Sequence, residues 1–196
     1  MARTGTVLRN TKETQIEVVV NLDGGDVNVK TGIGFFDHML TAFGFYAKIG
    51  LTVQATGDLY VDGHHTVEDV GICLGLALKQ ALGDRAGIRR FGSCYVPMDE
   101  ALTFTALDFS NRPYLVFDAS MPQERIGEYD SCLTVEFMRA LAMNAGITLH
   151  QKCFYGANAH HITEGLFKSL GMAVRDAVKA VDEVHIAPLV QIGRAH

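Results

Sequence analysis

One pattern of histidine and glutamate is written twice in this chain: His64-His65 with Glu68, and His160-His161 with Glu164, 96 positions apart. At the same spacing Leu74 falls on Leu170, Gly75 on Gly171, Ala77 on Ala173 and Ala81 on Ala177. Upstream, Gly50-Leu51-Thr52-Val53 meets Gly146-Ile147-Thr148-Leu149. Agreement over this much chain marks an internal duplication, so the fold must be one unit built two times. The seam falls between Arg85 and Arg90, which gives a first repeat over 1–86, a second over 87–182 and a tail over 183–196 without periodicity.

Each half reads in the same order. Three β-rich stretches come first: Gly5 to Leu8, the alternating Gln15 to Val20, and Asp26 to Lys30 after the turn Asp23-Gly24-Gly25. A helix from Ile33 to Tyr46 and a strand from Ile49 to Ala55 follow. A longer helix over His65 to Leu82 carries Val67, Val70, Leu74, Ala77, Leu78 and Ala81 as one apolar stripe. The second half predicts strands at Ser93 to Pro97, Leu102 to Asp108 and Tyr114 to Asp118. After them come a helix over Ser131 to Asn144, a strand over Ile147 to Phe154 and a helix from His161 to Val181. The expected fold class is α/β (α+β): two β-β-β-α-β-α units, each a four-stranded sheet with two helices on one face, joined in one globular unit.

Composition narrows the function. With 196 residues the chain buries a sizeable core. Its net charge of −5 argues against a dedicated nucleic-acid or membrane-surface binder. No apolar run approaches the roughly 18 residues of a membrane span, and the N-terminus has no signal-peptide core. A cytoplasmic location is expected. Cys73, Cys94, Cys132 and Cys153 stand far apart and form no thiolate metal site.

The histidines carry the chemistry. On a helix His64 and Glu68 share a face, whereas the adjacent His65 is rotated by about 100°. Two neighbouring imidazoles thus diverge and do not chelate one ion together; the same holds for His160, His161 and Glu164. Two divergent pairs therefore point to two metal sites, each drawing on both repeats. His38, in GFFDHML, and His150, in ITLHQ, complete a tally of six histidines and two glutamates, three imidazoles and one carboxylate per ion. That donor set suits a borderline first-row divalent ion. His185 and His196 stay outside it. Lys168 shares the Glu164 side of its helix, and with Arg90 at the seam and Arg112 in DFSNRPY it forms a basic set suited to an anionic group.

The strings TKET, FFDHMLTAFG, GDLYVDGHHTVEDVGICLG, ALGDRAGI, VPMDEAL, DFSNRPYLVF, NAGITLH and HHITEGLFKSL closely resemble the imidazoleglycerol-phosphate dehydratase family, over about Arg9 to Val181. The resemblance implies a duplicated fold of the ribosomal protein S5 domain 2 type, two manganese ions per active site, and trimers built into a 24-subunit shell with sites between subunits. It implies one ion held by His38, His65, His160 and Glu164 and another by His64, Glu68, His150 and His161. It also implies substrate contacts from Glu13 of TKET, Arg90, Arg112 and Lys168, with His38 beside them.

The expected reaction turns imidazoleglycerol phosphate into imidazole-acetol phosphate in histidine biosynthesis. Having no carbonyl to acidify a C–H bond, the substrate must draw on its ring: metal-favoured imidazolate expels the adjacent hydroxyl, and loss of the neighbouring proton restores the ring. Glu13 is the candidate for that proton transfer, and His64, His65, Glu68 and Glu164 are the other expected catalytic residues.

The family pattern is departed from twice: Tyr46 stands where His is usual, and Leu189 to Gly193 stand in place of a C-terminal Ser-Thr-Lys-Gly. The alternative reading is accordingly a metal-assembled homologue whose turnover is weakened or lost through its tail. A generic dinuclear hydrolase is disfavoured by the intact TKET, NRPY and HHITEGLFK strings.

Overall fold

The computed structural model describes residues 2–181. The expected tail, with His185, His196 and Leu189 to Gly193, lies outside the described residues. In the first repeat β1 (Thr4–Asn10), β2 (Thr14–Asn21) and β3 (Val27–Lys30) precede α1 (Gly34–Ala47), β4 (Gly50–Gly57) and α2 (His64–Leu82). In the second, β5 (Phe91–Met98), β6 (Ala101–Asp108) and β7 (Tyr114–Asp118) lead through a short hairpin, β8 (Arg125–Ile126) and β9 (Tyr129–Asp130). Then come α3 (Leu133–Ala145), β10 (Thr148–Tyr155) and α4 (Ala159–Ala177).

The two main sheets have matching orders, β1-β2-β4-β3 and β5-β6-β10-β7. Within each, one parallel pair closes over a helical crossover: β3 with β4 through α1, and β7 with β10 through α3. Strict alternation sets which face is buried. Ile16, Val18 and Val20 of β2 point inward, as do Ala101, Thr103, Thr105 and Leu107 of β6.

The helices cover those inner faces and then pack on one another across the repeats, α2 on α3 and α1 on α4. Phe36, Phe137 and Phe167 meet at this junction, the last two with ring centroids 5.1 Å apart. Small residues let the backbones close in. A Cβ on Gly75 would stand 2.8 Å from Leu141 O, and one on Gly171 would stand 2.7 Å from Phe43 O. These two glycines are partners in the repeat, so their identity has a physical cause: each sits where a helix of one repeat crosses a helix of the other.

The structure corrects the register of the duplication between the helix and strand that precede each histidine pair. α1 is capped by Lys48 and α3 by Gly146, both in the left-handed region with φ of 56° and 65°. Ile49 N donates to Gly44 O as Ile147 N does to Ala142 O. Equivalent residues here are 98 apart rather than 96, so Gly146 matches Lys48, not Gly50, and the His38 equivalent is Glu136. Between β10 and His160 the chain has two residues fewer than between β4 and His64, which restores the spacing of 96 in the helices. Two further differences are local. α4 stops at Ala177 instead of reaching Val181, because residues 177–181 pair with 87–90: Arg90 N donates to Ala177 O and Val181 N to Gly87 O. The β8–β9 hairpin, unforeseen in the sequence, turns at Gly127 with φ of 60° and buries Tyr129 against Phe35 and Phe36.

Candidate metal centre

α4 begins at a built cap: the Asn158 side chain accepts from His160 N at 2.9 Å. Helical periodicity then sets His160 over Glu164, and His160 Nε2 lies 3.1 Å from Glu164 Oε2. Because α1 packs on α4, His38 reaches the same oxygen at 3.6 Å. One donor atom from each of His38, His160 and Glu164 lies within 4.8 Å of the others. Phe35 presents its ring to His160 edge-on at 4.9 Å. Burial pushes the nearly buried Glu164 carboxyl up, but the hydrogen bond and charge of Lys168, with His38 and His160, prevail and hold it below the usual range. Lys168 Nζ is 2.7 Å from Glu164 Oε1. It also lies 5.5 Å from the centre of the Tyr46 ring, so an aromatic face sits beneath this ammonium.

The adjacent histidines do diverge. The His64 and His65 rings are nearly perpendicular, at 88°, and those of His160 and His161 are inclined at 74°. His64 Nε2 is 3.7 Å from Glu68 Oε2. His65 turns away and presents Nδ1 to Asp58 at 3.0 Å. His161 presents Nδ1 to Glu100 at 2.6 Å, while its Nε2 is 3.6 Å from the exposed Asp99. Both His65 and His161 are raised in pKa, first by these carboxylate hydrogen bonds. Glu100 falls to about 2, first through His161 and then through the backbone N–H of Ala157.

One chain therefore assembles only part of the two expected sets. Three of the first four ligands converge, while His65 is held by Asp58. Of the second four, His64 and Glu68 are neighbours and His161 lies against Glu100. His150 is exposed on β10, whose inward residues Leu149 and Gln151 are buried on the α4 side. Among the described residues no other group of three such donors meets. Asp58, Asp99 and Glu100 were not singled out from the sequence, although GDLYVDGHH and VPMDEAL contain them. Their only signal there is an acidic residue in a loop, which is common without any role.

The basic set divides as well. Arg90 places Nε and Nη2 on the two oxygens of Asp108 at 2.6 and 3.1 Å. The exposed Arg112 reaches the same carboxylate at 3.7 Å. Lys168 stays with Glu164. Glu13 rides an exposed turn in which Thr11 Oγ1 accepts from Glu13 N and Thr14 N, and Asp58 N donates to Glu13 O. No helix among the described residues is long and apolar enough to cross a membrane.

A family model described as imidazoleglycerol-phosphate dehydratase matches residues 31–174. A protein of that name from Ruminiclostridium cellulolyticum is 56% identical over 178 residues, 90% of this chain and 92% of its own. Another, from Rhodopseudomonas palustris strain BisB5, is 58% identical over 181 residues, 92% of this chain and 91% of its own. Among solved structures, that of the Staphylococcus aureus enzyme of this name superposes with a TM-score of 0.84 at 36% identity, covering 91% of this chain and 99% of that one. The Pyrococcus furiosus enzyme in complex with (S)-C348 gives 0.81 at 41% identity, covering 92% and 97%. These relatives lend no support to the reading of a shell protein without turnover. With its duplicated sheets and its histidine–glutamate cluster, the chain belongs to the imidazoleglycerol-phosphate dehydratase family, hydro-lyases of histidine biosynthesis.

Proposed function

We propose that this chain converts imidazoleglycerol phosphate to imidazole-acetol phosphate in the cytoplasm, using two manganese ions per site, and that a site is completed by another copy of the chain. The observation that carries the reading is the convergence of His38, His160 and Glu164. Two imidazoles and a carboxylate without thiolates fit a first-row divalent ion. The cysteines stay apart from it, and burial pushes the Cys73 thiol up to about 11, which keeps it protonated. His65 would complete this set, and His64, Glu68, His150 and His161 would hold the second ion. Since His65 does not join His38, His160 and Glu164 within one chain and His150 lies on an outward sheet face, ligands from a neighbouring copy fit better than a site within one chain. A trimer-based shell of 24 copies satisfies that need.

A bound divalent ion supplies a Lewis acid for the imidazole ring of the substrate. The protein does the rest. Arg90, Arg112 and Lys168 bind the phosphate, with the Arg90 guanidinium held in one plane by the Asp108 fork. The exposed Glu13 carboxylate takes the proton from the carbon next to the one that loses its hydroxyl. Its backbone is held by Thr11 and Asp58, which limits its wandering. The test is product formation by chelator-stripped protein with and without added manganese. Manganese-dependent appearance of imidazole-acetol phosphate supports the reading; manganese uptake without product, or release of inorganic phosphate, overturns it.

A further inference from the structure

His65 and His161 are equivalent positions of the two repeats, and both are held by the same ring atom. Each presents Nδ1 to a carboxylate, His65 to Asp58 at 3.0 Å and His161 to Glu100 at 2.6 Å. The two carboxylates have unrelated origins. Asp58 stands in the loop between β4 and α2, whereas Glu100 stands in the tight turn between β5 and β6. The duplication therefore does not explain the match; two different loops solve one problem.

A carboxylate only accepts, so in each pair the Nδ1 atom carries the hydrogen. In the neutral ring the Nε2 lone pair is then free to bind a metal. Glu100 is itself fixed: its Oε1 accepts from Ala157 N at 3.0 Å and Asn158 N at 2.9 Å. His161 Nε2 stands 3.6 Å from the exposed Asp99, beyond hydrogen-bond reach. His64 and His160 behave differently. Each turns Nε2 toward a glutamate four residues on in its own helix, and those glutamates are candidate ligands themselves.

We propose that Asp58 and Glu100 are positioning residues of the two metal centres, one for each, fixing the tautomer and direction of His65 and His161 so that Nε2 faces the ion. The inference rests on the ligand sets proposed above. Such carboxylate–histidine–metal relays typically change metal affinity ten- to a hundredfold when broken.

The experiment titrates chelator-stripped protein with manganese chloride by calorimetry and follows the melting temperature in parallel. Asp58→Asn and Glu100→Gln should each weaken one class of manganese site by about ten- to a hundredfold and leave the other unchanged. Gln123→Ala is the control for loop anchoring, because Gln123 accepts from Ala159 N and donates to Ala157 O without touching an imidazole. It should lower the melting temperature at unchanged manganese affinity. Parental affinity in Asp58→Asn or in Glu100→Gln overturns the role of that residue. An equal loss of affinity in Gln123→Ala reduces Glu100 to a loop anchor. A parent that binds no manganese overturns the ligand sets themselves.

Discussion

The Thr14 hydroxyl donates to Asp69 at 2.6 Å, tying the strand behind Glu13 to the helix that carries Glu68. Both groups are buried, and Arg9 holds the other Asp69 oxygen at 3.0 Å. Thr14→Val keeps the shape and removes the donor, leaving a buried carboxylate oxygen short of a partner. The expected cost is about 1–3 kcal/mol. Melting temperatures at fixed protein concentration should fall for Thr14→Val and stay near the parent for Thr14→Ser. Turnover should drop with the valine variant because the Glu13 turn loosens. Equal stability of the two variants would show that the hydroxyl bond contributes nothing.

Gly75 tests the helix crossing between the repeats. Gly75→Ala would force a methyl to within 2.8 Å of backbone atoms of Leu141 and Ala145, which cannot retreat as a side chain can. Overpacking of this kind costs about 1–3 kcal/mol. Gly34→Ala, at the open start of α1, meets no atom within 4 Å and should change stability by no more than about 0.5 kcal/mol. Thermal melts of the two variants separate crowding from a general intolerance of alanine.

Lys168 has two predicted roles that one substitution tests. Lys168→Ala removes a charged bond to the phosphate, about 1.5–3 kcal/mol, and so should raise KM roughly ten- to a hundredfold. It also frees Glu164 from its nearest cation, so that carboxyl should rise in pKa and lose its metal at higher pH than in the parent. Steady-state kinetics and metal content across a pH series measure the two effects separately.

Glu164→Gln should abolish one of the two proposed manganese sites, since the carboxylate is the shared neighbour of His38 and His160. Metal analysis of purified protein should give about half the parental manganese. Full loading would remove Glu164 from the ligand set.

Acid stability should report the Arg3–Asp23 clamp at the edge of the first sheet. Asp23 accepts from Arg3 N and from its guanidinium, and these bonds hold its carboxyl below the ordinary value of 3.8. A lowered carboxylate pKa contributes stability that is fully present above the unfolded value. It is lost as pH falls through the folded one. The pair is exposed, so the contribution is below about 1 kcal/mol. The melting-temperature gap between parent and Asp23→Asn should be constant from pH 5 to 7 and close below about pH 4. A gap that persists at pH 2 would assign it to something other than this titration.

The sequence by itself determined the duplicated order of elements and everything that helical periodicity sets locally. Residues four apart share a face and adjacent ones diverge, so His160 over Glu164, and the split of each histidine pair, were legible from spacing alone. Only the tertiary structure decided which groups meet across elements. His38 reaches Glu164 because α1 crosses α4, and that crossing depends on the absence of a side chain at Gly171, where a Cβ would stand 2.7 Å from Phe43 O. The pairing of His65 with Asp58 and of His161 with Glu100 depends on loop paths that no periodicity encodes. The shift from 96 to 98 in the repeat has the same origin. Packing constrains the helices and sheets, while their connections can gain or lose residues, so spacing along the chain is faithful within an element and drifts between elements.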